Sequence, residues 1–127
     1  MELFLLLQLD AERLFHRLIE RRSDYIMEFS LKRTRDHFNS IFFTRYYAIS
    51  ATDLQKLSGD LIIALDRFYG SVEELQWYVM HTQDMTTAFT DRIETSLKII
   101  TKHYNKLTLH LMAELRAQED TSQEVTT

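Results

Sequence analysis

Cysteine and proline are absent from this 127-residue chain, and glycine occurs only 2 times. Without cysteine there is no disulfide framework, thiolate zinc site or thiol nucleophile. Two glycines are too few for the Walker or dinucleotide-binding fingerprints, whose glycines let the backbone approach a phosphate. An all-β domain would need many tight turns made without glycine or proline. Valine is scarce as well, 3 residues against 18 leucines, and that balance favours helix over strand. Long apolar runs are also missing. No window offers the roughly 20 apolar residues of a membrane span. The run Leu3–Leu7 follows Glu2 rather than Lys or Arg, and no small-residue cleavage site succeeds it. A secretory signal is therefore not expected, and the chain reads as cytoplasmic with no membrane partner.

What remains is globular in composition, with 45% apolar and 27% charged residues and a net charge of −4. Length and composition predict one all-α domain. The expected architecture is a four- or five-helix bundle, mostly antiparallel, with long first and last helices. It occupies residues 1–118, and 119–127 form a polar, disordered tail. The first helix is expected from Leu3 to Phe29, on the spacing of Leu7, Ala11, Leu14, Leu18, Tyr25, Ile26 and Phe29. A basic joint at Ser30–Arg35 leads to a second helix over Thr34–Ile49, dense in aromatic residues. Ser50, Thr52 or Asp53 is placed to cap a third helix running to Tyr69, with Gly59 inside it. Gly70 reads as the stop of that helix. Ser71-Val72-Glu73-Glu74 reads as a capping box opening a fourth helix, Val72–His81. After a loop at Thr82–Thr87, the last helix follows to Ala117. Its seam is Phe89, Ile93, Leu97, Ile100, Tyr104, Leu107, Leu111 and Leu115, close to a heptad rhythm.

Chemistry-bearing patterns are sparse. His16 lies four residues from both Glu12 and Glu20, and His110 four from Glu114. A diiron bundle needs Glu-x-x-His pairs, and none occurs. These pairs read as solvated i,i+4 contacts. His103 has Lys106 three positions on, as phosphotransfer histidines do, but Leu107 stands where such a site keeps glycine. Glu73 and Glu74 suit the first turn of a helix, where they favour its dipole. No catalytic residue, cofactor or metal ligand is assigned, and no enzyme is expected.

Surfaces carry the functional expectation. The opening turns are apolar all round, so part of them faces away from the core. Leu3, Phe4, Leu5, Leu6, Leu7 and Leu9 are the expected interface, together with the outer face of the last helix. The leading reading is a non-catalytic interaction module (adaptor, regulator or chaperone-like) acting on a protein partner, foremost a second copy of itself. An alternative is a ligand-sensing bundle that takes an apolar small molecule among Phe42, Tyr46, Phe68, Trp77 and Tyr78. Charge offers a third. From Arg13 to Arg45 there are 8 bases against 4 acids, and from Asp53 to Glu94 there are 3 against 8. Arg13, Arg17, Arg21, Arg22, Lys32, Arg33 and Arg35 would face an anionic partner such as a nucleic acid. The acidic balance of the whole chain disfavours that reading.

Overall fold

A computed structural model describes residues 2–21, 41–82 and 86–126, with side-chain surroundings for 3–21, 41–82 and 87–117. Among these residues there are four α-helices and one short 3-10 turn, and no strand. The helices are α1 (Glu2–Glu20), α2 (Ala51–Leu54), α3 (Gly59–His81) and α4 (Thr86–Thr126). The fold is all-α, as the composition predicts. None of these helices is long and apolar enough to cross a membrane among the described residues.

Three apolar seams build the core. Phe4, Leu7, Ala11, Leu14 and Leu18 are buried along α1, and Leu61, Leu65, Phe68, Val72, Leu75 and Val79 along α3. Phe89, Ile93, Leu97, Ile100, Leu107 and Leu111 are buried along α4, with Tyr104 and Leu115 packed at the margin. Steps of three and four put each set on one helical face. α4 packs against both α3 and α1. Tyr78 meets Phe89 and Phe68 meets Tyr104, so α3 and α4 run in opposite directions. Phe15 of α1 stacks on Tyr104, with ring centroids 4.0 Å apart. That contact fastens the first helix to the middle of the last.

Several boundaries differ from the sequence reading. α1 stops at Glu20 with Arg21 in a turn. Its expected continuation to Phe29, the basic joint and the first part of the second helix lie outside the described residues. Where that second helix is described it is not α-helical. Ile41–Ser50 is a turn, a short irregular segment and the 3-10 turn Tyr46–Ala48. The reason lies in its hydrogen bonds. Arg17 donates to the carbonyls of Ile41 and Phe43, while Asp10 accepts from the Arg45 backbone N–H at 2.8 Å. Backbone groups that an α-helix would pair internally are bonded to α1 instead. β-branched and aromatic residues, which lose side-chain freedom in a helix, make that exchange easier.

The expected third and fourth helices are one. Ser58, not Gly70 or Ser71, marks the boundary: its hydroxyl accepts from Leu61 N–H at 3.2 Å and caps α3. Ser50 caps only the single turn of α2. Gly59 is the first residue of α3 rather than an interior one. Gly70 has no positive φ and lies mid-helix. Ser71 caps nothing, and its hydroxyl donates to the Phe68 carbonyl at 2.7 Å. Magnitudes explain the outcome. A mid-helix glycine costs about 1 kcal/mol, whereas burying Val72, Leu75 and Val79 on the same seam is worth ~1.5–3 kcal/mol each. At the other end, α4 continues past Ala117 to Thr126.

Candidate docking surface

The first helix carries one apolar stripe that faces the core and further apolar residues on the outside, near its two ends. Phe4 and Leu7, both expected at the interface, are buried with Ala11 and Leu14, and Leu3 packs against the same core. Leu5, Leu6 and Leu9 point outward, Leu5 at 46% and Leu9 at 47% exposure. Ile19, 40% exposed, extends this outer set toward the far end of the helix. Leu5, Leu9, Glu12, His16 and Ile19 thus recur at steps of four, three, four and three along one exposed face. This is the spacing of a helix–helix seam, with a polar centre and apolar ends. Glu12 and His16 lie 3.9 Å apart at that centre. Ile19 carries no signal in the sequence, because it stands beside the charged pair Glu20-Arg21 rather than in an apolar run such as Leu3–Leu7.

Beside this stripe lies a depression of about 370 Å³. Leu6, Leu9, Arg13 and Arg17 line it from α1, and Phe43 and Arg45 from the segment that precedes the 3-10 turn. It joins residues that the sequence separated into an apolar interface and a basic surface. Arg17 is half-buried and holds two carbonyls, so its role is partly structural. Burial lowers its proton affinity from the ordinary value; Asp10 opposes that shift, and Arg21 and Arg13 add to it. Arg13 and Arg21 are exposed. Arg22, Lys32, Arg33 and Arg35 lie outside the described residues.

Asp10 organises the wall of the depression. Its carboxylate accepts from the Thr44 hydroxyl, from Arg45 N–H and from the Tyr69 hydroxyl at 2.7 Å. Tyr69 stacks on Tyr46, with centroids 3.9 Å apart and planes 2° from parallel. Burial first, then the hydrogen bond to Asp10 and its charge, raise the Tyr69 pKa far above the ordinary range. Tyr47 donates to Glu73 at 3.1 Å, and burial together with that carboxylate pushes its pKa up to about 12. The network holds Phe43 and Arg45 next to the outer stripe of α1.

No protein-family model, curated protein or solved structure matches this chain.

The depression beside α1 is lined by none of the five aromatics expected at a ligand pocket. Phe42 and Phe68 are core residues, and Tyr46 is stacked on Tyr69. Tyr78 stacks on Phe89 with Arg92 over its ring, 5.5 Å from the centroid. Trp77 is 65% exposed and stacks on His81 at 4.7 Å. The aromatic density of the sequence belongs mainly to packing. Among the described residues no three His, Asp or Glu side chains come together as a metal-ligand set.

Proposed function

We propose that this chain is a non-catalytic interaction module whose outer α1 face pairs with the same face of a second copy. The observation that carries this reading is the exposed stripe Leu5, Leu9, Glu12, His16 and Ile19 at helix-pairing intervals. Leu5, Leu9 and Ile19 are each a little under half exposed, so covering what remains wet is worth roughly half of the ~1.5–3 kcal/mol that full burial of such a side chain gives. The face is also self-complementary in charge. Glu12 and Glu20 alternate with Arg13, His16 and Arg21. Two copies related by a two-fold axis near Glu12 and Arg13 set the Leu5–Leu9 end of one helix against the Ile19 end of the other. The same operation brings Glu12 of each copy beside Arg13 of the other, which suits an isologous contact.

The absence of cysteine makes this testable with a single introduced thiol. Glu12→Cys lies close to the proposed axis, where two copies bring Cα atoms within disulfide reach of about 7 Å. Under mild oxidation this variant should form a covalent dimer far faster than Asn105→Cys, an exposed control on α4. Light scattering of the parent chain should give twice the chain mass. Equal cross-linking of the two variants, or a monomer at tens of micromolar, would overturn the pairing.

A further inference from the structure

A second depression, of about 280 Å³, lies between α3 and α4 and shares no residue with the docking face. His103, Lys106 and His110 line it from α4, at steps of three and four that put them on one side of the helix. Arg67 faces them from α3, with Ala64 and Ile63 beside it and Asp60 at one end. Four side chains able to carry positive charge thus surround a single carboxylate. Among the described residues none of Arg67, His103, Lys106 and His110 has a salt-bridge partner. Asp60 stands in the first turn of α3, where its charge favours the helix dipole. The volume lies just below the range of about 300–1,000 Å³ for drug-sized ligands and suits a small anion with its water.

We propose that this groove binds a small phosphate-class oxyanion, held by the Arg67 fork and the Lys106 ammonium, with His103 and His110 as further donors. Guanidinium and ammonium groups are the usual partners of such oxyanions, and charge-assisted hydrogen bonds to them are the strong ones. The surroundings of His103 agree. Burial, followed by Lys106, Lys102 and Arg67, lowers its pKa from the ordinary histidine value. The groups facing it are Asp60 and Arg67 from α3 and Lys102, Lys106 and His110 from α4. An anion bound here offsets the cationic repulsion and raises the His103 pKa. By linkage, protonation of His103 tightens the anion in return.

Sulfate is the probe for this coupling, because its charge stays fixed while phosphate gains a proton near neutrality. Histidine ring resonances should be followed by NMR as sulfate replaces chloride at constant ionic strength. His103 and His110 should shift in a saturable way while His16 and His81 do not. Affinity should tighten severalfold between about pH 8 and about pH 5.5, across the ordinary histidine range. Arg67→Gln and Lys106→Gln change exposed side chains, and each should weaken binding severalfold with the helical circular dichroism unchanged. Inorganic phosphate and phosphoserine, compared at fixed pH, separate a free anion from a phosphomonoester. Sulfate shifts no larger than those of chloride, or equal at His16 and His103, would overturn the proposal. So would binding indifferent to Arg67→Gln and Lys106→Gln. Tight binding of a single-stranded oligonucleotide with a steep salt dependence would replace the small-anion site by a nucleic-acid surface. The dimer experiment reads a different face, so either reading can fail alone.

Discussion

Asp10 accepts hydrogen bonds from residues 34, 35 and 59 positions away in the chain. Nothing in its neighbourhood Leu9-Asp10-Ala11 announces this, because the partners arrive only when the chain has folded back. The stretch after Ile41 was unreadable for the same cause: its backbone is claimed by Asp10 and Arg17, not by local propensity. Tyr69→Phe removes the hydroxyl that donates to Asp10. It should destabilise the fold by about 1.5–3 kcal/mol, the range for a bond to a charged acceptor, measured by urea denaturation at neutral pH. The sign of the pH dependence follows from the raised Tyr69 pKa. The unfolded chain releases this proton above the ordinary tyrosine value near 10, while the folded chain keeps it. The contribution is therefore whole below about pH 10 and is lost as pH rises, at up to about 1.4 kcal/mol per pH unit. Tyr69→Phe should flatten that alkaline loss, and an unchanged slope would show that Tyr69 does not carry it.

At the level of helices, periodicity was legible and punctuation was not. The seam of the last helix, Phe89 to Leu115, packs as its spacing requires because each member meets the core regardless of exact boundaries. Gly70-Ser71 misled because a glycine followed by a capping box is a strong local signal, yet the seam from Leu61 to Val79 runs through it without a break. This has consequences of opposite sign for stability. A Cβ added at Gly70 meets nothing within 4 Å, and the backbone there needs no positive φ. Gly70→Ala should therefore stabilise the protein by about 0.4–1 kcal/mol, whereas an alanine at a left-handed helix stop would destabilise it. Ser58→Ala removes the real cap and should cost about 0.5–2 kcal/mol. Chemical denaturation of these two variants, with Ser71→Ala as a near-neutral comparison, checks where α3 begins and that it does not end at Gly70.

For the whole molecule, the N-terminal apolar run was legible as an excess of surface but not as a partition between inside and outside. That partition needs the rotation of α1 about its axis, which packing of Phe15 on Tyr104 and the Asp10 network set. It makes neighbouring leucines behave differently. Leu7 is fully buried, whereas Leu9 is nearly half exposed. Leu7→Ala opens the core and should cost about 2–5 kcal/mol at every protein concentration. Leu9→Glu leaves the core intact but places a charge in the proposed seam. If two copies pair through this face, the melting temperature of the parent should rise with protein concentration, since association stabilises the folded state by mass action. A tenfold increase contributes about 1.4 kcal/mol per dimer, enough to move the transition on the order of a few degrees in a domain of this size. Leu9→Glu should abolish that concentration dependence while retaining the low-concentration melting temperature, and Leu7→Ala should lower the whole curve. A parent melting temperature independent of concentration, with Leu9→Glu indistinguishable from it throughout, would leave the outer stripe of α1 without a second copy to cover it.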